Sequence, residues 1–381
     1  MYKRLINLPE SPNNSFFLWG PRQVGKTSLL KTLYPNTPFI QFLKSEEFFL
    51  YQTQPEKLRE QVRQNKWKFV IIDEVQKVPH ILDEIHYLIE EDKVVFGLCG
   101  SSARKLKRGH ANLLGGRAHR YELSGLVSAE LGPAFSLERM LNHGYMPRIY
   151  DSDDVQLNLR GYCSDYLKEE IFAEGLVRQL QPFNRFLEIA ALGDTEILSY
   201  QTVARDCGVS SPTVKSYYEI LTDTLLAQYL PSYTLRPKRR VIQAPKFYFN
   251  DVGVVNYLAQ RGQVLPKSSN WGKAFENWVF HELKNYIEYS NRPEQMSYWR
   301  LTTGVEVDFI VGHMKCGFEA KASARINADH LKGLRELKKD HEEIENRYVV
   351  SMEEISRITE DGIQILSYRD FAENLWFGKL F

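Results

Sequence analysis

The sequence predicts an α/β chain in three parts: a P-loop core, a helical and winged-helix middle, and a smaller C-terminal α/β domain. Three observations predict it. Residues 20–28 read Gly20-Pro21-Arg22-Gln23-Val24-Gly25-Lys26-Thr27-Ser28, a complete G-x-x-x-x-G-K-[ST] string. Residues 69–74 read Phe69-Val70-Ile71-Ile72-Asp73-Glu74, an apolar strand ending in two acids. Residues 306–321 carry Asp308, Glu319 and Lys321 on what reads as two adjacent strands.

The P-loop string has the right setting. The apolar run Phe16-Phe17-Leu18-Trp19 before it reads as a buried strand. A helical stretch from Lys26 to about Tyr34 follows, and Pro35 stops it. Gly20 and Gly25 let the backbone turn so that several N–H groups converge on a phosphate. Residues Gly20, Pro21, Arg22, Gln23, Val24, Gly25, Lys26, Thr27 and Ser28 are therefore the expected ATP contacts. Lys26 is expected on the β- and γ-phosphates, and Thr27 on Mg²⁺.

Acids at the carboxyl end of a buried strand lie where open α/β sheets bind ligands. Asp73 is expected to hold Mg²⁺, and Glu74 to polarise the attacking water as general base. The competing reading is a strand followed by a solvated acidic turn. A third apolar strand over residues 94–99 ends in Gly100-Ser101-Ser102. That polar tip falls beside the expected γ-phosphate, although Ser101 reads equally as a turn serine. Downstream, Leu113-Leu114-Gly115-Gly116-Arg117 presents Arg117 as a candidate arginine finger, against the alternative of a solvated loop arginine. Arg104, Lys105, Lys107 and Arg108 make the preceding loop cationic.

The order GPRQVGKT, VIIDE, GSS, GGR and then Gly144-Tyr145-Met146-Pro147 resembles a prokaryotic family of AAA+-like ATPases. Members carry a C-terminal domain of uncertain role. The resemblance spans nearly the whole chain. It implies an AAA+ ATPase domain over residues 1–150, and it points to Ser101 as the polar sensor. It also supports Arg117 as a finger donated to a neighbouring subunit, hence a homo-oligomer or ring. No second sensor arginine is legible.

Composition sets bounds on partners. A chain of 381 residues accommodates two or three domains. The net charge of +1 provides no global field for nucleic acid, so any such binding needs local patches. Cys99, Cys163, Cys207 and Cys316 are scattered with no C-x-x-C pair, which argues against a zinc site or disulfide framework. No apolar run approaches the ~18 residues that span a bilayer, so no membrane partner is expected. The basic start Met1-Tyr2-Lys3-Arg4 leads into only a brief apolar stretch ended by Leu8-Pro9-Glu10, which does not read as a signal peptide. The expected compartment is the cytoplasm.

Residues 151–265 are expected to form a helical linker and a winged-helix domain. Leu157, Tyr162, Tyr166 and Ile171 suit one helix face, with Asp165, Lys168, Glu169 and Glu170 on a solvated one. Residues 199–206 read as a short helix, Cys207-Gly208-Val209 as a turn, and Ser211 as the cap of a second helix with Pro212 at its first position. Helix, glycine turn and capped helix make a helix-turn-helix pattern. A strand over 226–230 and the run Arg236-Pro237-Lys238-Arg239-Arg240 read as a wing. On DNA, Thr213, Lys215 and Ser216 are expected toward the groove, and Lys238, Arg239 and Arg240 on phosphates. The second helix has one lysine, opposed by Glu219. The competing reading is a module that packs on the core or mediates assembly.

Residues 266–381 change character again. Residues 272–283 form an amphipathic helix bearing Glu276, and residues 296–300 read as a strand. Asp308 on one strand and Glu319-x-Lys321 on the next match the PD-(D/E)XK nuclease signature. Period two puts Glu319 and Lys321 on one face. Asp308 and Glu319 are the expected Mg²⁺ ligands, Lys321 the group that positions water, and Glu276 an additional acid. Arg300 and His330 are weaker candidates for phosphate contact. The competing reading is an ordinary charged hairpin. The family resemblance implies the same restriction-endonuclease-like fold. Together these readings describe an ATP-hydrolysing protein, using ATP and Mg²⁺, that remodels or translocates on branched or single-stranded DNA. Its C-terminal domain is expected to bind DNA and is a candidate to cleave it. The alternative is an ATP-dependent signalling or defence switch with a non-catalytic C-terminal binding module.

Overall fold

In the computed structural model, which describes residues 2–102, 114–167, 180–235 and 238–381, five parallel strands make the first sheet. These are β1 (Ser15–Trp19), β2 (Phe39–Gln41), β3 (Phe69–Asp73), β4 (Val95–Gly100) and β5 (Ala118–Glu122). Their order is β2-β3-β4-β1-β5. All of β1 and nearly all of β3 and β4 are buried, as a parallel sheet covered on both faces requires. Phe17, Ile72, Phe96 and Leu98 pack with Leu58 and Val62 of the helix Lys57–Asn65 and with Ile81, Ile85 and Leu88 of the helix Ile81–Glu91.

The chain divides into two compact units. The first is Arg4–Gly125 with Asp223–Leu226, and the second is Met1–Lys3, Leu126–Thr222 and Ala227–Phe381. Both expected domain cuts therefore move. Residues 126–150 leave the first part, because Leu126, Met140, Leu141 and Tyr145 share a core with Phe275 and Trp278. The cut at 265 disappears because the helix Ser269–Tyr289 buries residues all round its circumference, including Trp271, Phe275, Trp278, Phe280 and Leu283. Such a helix cannot be the surface of a separate domain. The Gly144-Tyr145-Met146 string has a structural explanation here. Gly144 sits at φ 87°, and a Cβ there would lie 2.2 Å from Asp251 Oδ1. That close approach lets Asp251 Oδ2 accept the N–H groups of Tyr145 and Met146, at 2.7 and 3.0 Å.

In the middle segment, the helices Leu180–Leu192, Tyr200–Cys207 and Ser211–Asp223 precede β6 (Ala227–Leu230) and β7 (Lys246–Phe249), which pair antiparallel. Phe183, Phe186, Tyr217, Tyr218 and Phe247 form a continuous aromatic cluster between them. Ser199 caps the second of these helices by accepting from Thr202 N–H at 3.3 Å. The third is capped one residue earlier than expected. Ser210 Oγ accepts the Thr213 N–H at 3.3 Å, so Ser211 already lies inside the helix. The expected apolar face of 155–171 is corrected at Leu157, which is 67% exposed, whereas Tyr162 is buried. The side chains of 165–166 and residues 168–171 lie outside the described residues, as do Arg104, Lys105, Lys107 and Arg108.

The C-terminal segment holds a six-stranded mixed sheet in the order β12-β13-β11-β10-β9-β8. Its strands are β8 (Met296–Arg300), β9 (Glu306–Val311), β10 (Cys316–Lys321), β11 (Asn346–Ser351), β12 (Arg357–Ile358) and β13 (Gln364–Ser367). β8, β9 and β10 form an antiparallel meander, and β10, β11 and β13 run parallel. The helix Lys332–Asp340 makes the crossover between β10 and β11. Period two splits the side chains between two cores. Tyr348 and Val350 pack in the cluster of the long helix, and Val349 in the cluster of Leu334 and Leu337. Among the described residues all four cysteines are free and buried, and no helix is long and apolar enough to cross a membrane.

Glu282 of the long helix lies inside this unit. Its carboxylate accepts from Ser128 N–H at 2.8 Å, Ser128 Oγ at 2.9 Å, Trp278 Nε1 at 3.1 Å and Trp376 Nε1 at 2.7 Å. Burial pushes its pKa up to about 7 against those bonds. Glu282→Leu strands all these donors, each a loss of about 1–3 kcal/mol when a buried partner is left unsatisfied. The expected result is a clearly lower urea midpoint for the second unit; unfolding indistinguishable from the parent would contradict this network.

Candidate functional site

At the carboxyl end of β1 the chain turns through residues 20–25 into the helix Lys26–Leu33. Gly20 is required by close approach: a Cβ would stand 2.1 Å from the Leu123 carbonyl oxygen. Arg4 clamps the loop by donating to Val24 O at 2.6 Å and Ser124 O at 2.7 Å. Lys26 is 5% exposed, and its Nζ donates to Gly20 O and Pro21 O at 2.6 and 2.7 Å. Burial lowers its pKa, and the Asp73 and Glu74 carboxylates act against that shift. Pro21 and Val24 are buried, Arg22 is half-buried, and Gln23 and Ser28 are exposed.

Thr27 Oγ1 donates to Asp73 Oδ2 at 2.8 Å, and Gln41 Nε2 reaches the same oxygen at 3.3 Å. Glu74 adopts φ 57°, ψ 41°, a left-handed conformation uncommon outside glycine, asparagine and aspartate. That turn directs the chain into a short 3₁₀ helix, Val75–Lys77, and brings Gln76 beside Glu74. Gln76 Nε2 donates both to Glu74 Oε2 and to Ser101 Oγ, the latter at 3.1 Å. Strand order explains the meeting. β4 lies between β1 and β3, so its tip at Gly100-Ser101 sits between the loop and the two acids. Arg117 is not free: its guanidinium pairs with Glu90 of the helix Ile81–Glu91 and holds that carboxyl below its usual range.

The second constellation draws on four elements: β7, the helix Ser269–Tyr289, β9 and β10. Asp308 is 2% exposed and Glu319 is 5% exposed. Lys321 Nζ lies 2.6 Å from Glu319 Oε1 and 3.7 Å from Asp308 Oδ2. Asp308 Oδ2 also accepts the Ala320 N–H at 3.0 Å. Glu276 joins them, accepting the Tyr248 hydroxyl at 2.7 Å. At the centre is Lys246, 3% exposed. Its ammonium lies 3.0 Å from Glu276 Oε1, 3.3 Å from Asp308 Oδ1 and 3.8 Å from Glu306 Oε1. Burial pulls the Lys246 pKa down, but these carboxylates outweigh it and hold it above the ordinary lysine value. Burial and then the Asp308 charge push Glu319 up to about 8. Glu319 Oε2 is buried with no hydrogen-bond partner among the described residues.

The expected wing cations are redirected. Arg239 donates to Asp340 Oδ1 at 2.6 Å and Glu336 Oε2 at 2.8 Å, and Lys238 to Glu342 Oε1 at 2.9 Å. Arg240 is exposed. Arg236 and Pro237 lie outside the described residues. On the helix Ser211–Asp223, Lys215 and Glu219 are exposed, Ser216 is half-buried, and the Thr213 hydroxyl is bonded to Ser210. Arg300 pairs with Glu306 at 2.6 Å, and His330 Nδ1 accepts the Asn327 N–H at 3.3 Å.

Comparison with known proteins matches residues 12–132 to the family model of an AAA domain. The first unit has a P-loop ATPase fold of the AAA type. Residues 134–264 and 271–371 match two domains of unknown function, DUF8612 and DUF4143. Uncharacterized proteins of Mycobacterium bovis and Mycobacterium tuberculosis are each 24% identical over 316 residues, covering 81% of this chain and 70% of theirs. The solved Orc1 protein of Aeropyrum pernix, in complex with DNA, is 13% identical with a TM-score of 0.29. It covers 65% of this chain and 86% of that one. So slight a likeness carries no argument.

Beside the AAA-type loop, sequence reasoning missed Arg4, Gln41 and Gln76. Gln76 had a faint signal, standing two residues past Glu74 in the strand-end turn. Lys246 had none: it comes from a strand 62 positions before Asp308. Asp308 and Glu319, the expected metal ligands, both lie within ion-pair distance of Lys321. Their oxygens face Lys246 and Lys321, since buried carboxylates need a counter-charge. Among the described residues no three His, Cys, Asp or Glu side chains gather as a metal-binding group. Arg239→Ala should lower the stability of the second unit by about 1–3 kcal/mol, because Asp340 loses its partner. Amides near 238–242 should exchange faster with deuterated water; unchanged exchange and stability would refute this docking.

Proposed function

We propose that the chain is an ATP-hydrolysing AAA protein that acts on DNA. One observation carries the ATPase half: the Lys26, Thr27–Asp73 and Glu74–Gln76–Ser101 groups converge at the carboxyl ends of parallel strands. A buried ammonium that, among the described residues, donates to loop carbonyls, beside a hydroxyl–carboxylate pair, fits a magnesium nucleoside triphosphate. Lys26 and the loop N–H groups of residues 20–28 would hold the phosphates, and Thr27 and Asp73 the Mg²⁺. When bound, the Mg²⁺ supplies charge neutralisation at the phosphate oxygens. Glu74 would orient and deprotonate water, with Gln76 fixing its carboxylate and Ser101 at the strand tip. Arg117 would complete the site of a neighbouring copy in a homo-oligomer or ring. Its pair with Glu90 is exposed, and such pairs are worth about 0–1 kcal/mol, so release is cheap. A reducing cytoplasm, which suits four free cysteines, belongs to the same reading.

The DNA half rests on the middle and C-terminal segments. Three helices followed by an antiparallel strand pair support a winged helix, with Lys215 on its outer face. Helix, three-stranded meander, helix and parallel strand, with Asp308, Glu319 and Lys321 together, support a restriction-endonuclease-like domain. Branched or single-stranded DNA is the proposed substrate class. A second reading, the ATP-dependent switch with a non-catalytic C-terminal module, is favoured by the engagement of Arg239 with Glu336 and the buried Asp340.

Lys26→Ala and Glu74→Gln should each lower phosphate release by at least ~10²-fold, the usual worth of a general base or charge stabiliser. Glu74→Gln should still bind a fluorescent ATP analogue. Full turnover in both variants would sink the site assignment. Fluorescence anisotropy should report salt-sensitive binding to forked or single-stranded DNA, weakened in Lys215→Glu. No binding to any DNA form at low salt would decide for the switch.

A further inference from the structure

If the C-terminal domain is nuclease-like, its acids should cradle a divalent cation. Their surroundings argue otherwise. A cation bridging Glu276 and Asp308 would have to lie between their oxygens, where the Lys246 ammonium stands at 3.0 and 3.3 Å. Mg²⁺ binds oxygen at about 2.0–2.1 Å, so it would sit within contact distance of a fixed positive charge. Two further oxygens are engaged as well. Asp308 Oδ2 accepts the Ala320 N–H and faces Lys321, while Glu319 Oε1 is bonded to Lys321. Only Glu319 Oε2 is buried without a partner among the described residues, and one oxygen does not make an octahedral site.

Lys246 is not a surface lysine that swings aside. Its backbone opens β7, opposite Leu230 of β6 and bridged to Ile197 on the other side. Two residues on, Tyr248 stacks on Phe280 of the long helix with ring centroids 4.1 Å apart. The Lys246 ammonium lies over the Tyr298 ring, 5.7 Å from the centroid. Every cation of the cluster is paired as well, three against four acids. Lys246, Lys321 and Arg300 face Glu276, Asp308, Glu306 and Glu319, each cation within ion-pair distance of at least one acid.

We infer that Lys246 is a built-in cation occupying the metal position of the nuclease-like site, so that this domain takes no divalent ion and does not cleave by metal-assisted hydrolysis. The inference rests on the nuclease-like reading of the domain. The site then serves as an ion-paired hub that joins the middle segment to the C-terminal sheet, and any contact of the domain with nucleic acid is binding without scission.

The test is Mn²⁺ binding by electron paramagnetic resonance on the full chain, without nucleotide. An Asp73→Asn background removes the loop site from the signal. The parent in this background should show no Mn²⁺ binding that depends on Asp308, and Mn²⁺ should induce no nicking of supercoiled DNA. Lys246→Met, checked for folding by its thermal transition, should gain about one Mn²⁺ site that Asp308→Asn abolishes. Lys246→Gln serves if the methionine variant does not fold. Asp308-dependent Mn²⁺ binding with Lys246 in place overturns the inference and leaves the nuclease-like reading standing. A folded Lys246 variant that gains no site overturns the role of Lys246, and with it the likeness of these acids to a metal cradle. If neither variant folds, the Mn²⁺ titration with Lys246 in place decides alone.

Discussion

A buried positive charge must be neutralised where it stands, and the Lys246 ammonium imposes that condition on residues 126–381. Its partners come from a helix, through Glu276, and from β9, through Glu306 and Asp308. Removing one member of such a cluster typically costs about 3–5 kcal/mol, because the others stay buried and uncompensated. The strand that supplies the lysine belongs to the middle segment, and the acids belong to the C-terminal one. Those two segments are therefore not separable domains. The Arg239 pairs with Glu336 and Asp340 repeat the connection between the same two segments.

The first unit is organised differently. Its groups are mostly near one another in sequence, and the parallel sheet only has to bring three strand ends together. The order β3-β4-β1 does that by inserting β4 between the loop strand and the acid strand. Ser101 then meets Gln76, and Gln76 holds Glu74. The left-handed backbone at Glu74 is the local cost of this arrangement, and strained residues of this kind tend to collect at functional sites.

Legibility followed the range of the interactions. The strand, loop and helix around Lys26 could be read directly because each is specified by neighbours within a few residues. The helix starts near 200 and 211 were legible for the same reason, and the cap shifted to Ser210 only because two adjacent serines compete for one role. Leu157 on the surface shows the limit of periodicity, which ranks faces without knowing what packs on them. The cationic run at 238–240 was visible as charge but not as partnership. Its partners Glu336, Asp340 and Glu342 lie about a hundred residues away.

By itself the sequence determined the elements and the chemistry carried within each: a glycine loop ending in Lys26-Thr27, an apolar strand ending in Asp73-Glu74, and strands bearing Asp308, Glu319 and Lys321. These depend on local backbone preference and on side-chain period, both of which are written in contiguous residues. Only the tertiary structure decided where the units divide, that Gln76 links Glu74 to Ser101, and that Lys246 stands among the C-terminal acids. Those outcomes depend on which distant surfaces exclude water together, and on the need of each buried charge for a partner. Neither condition leaves a pattern in any short stretch of chain.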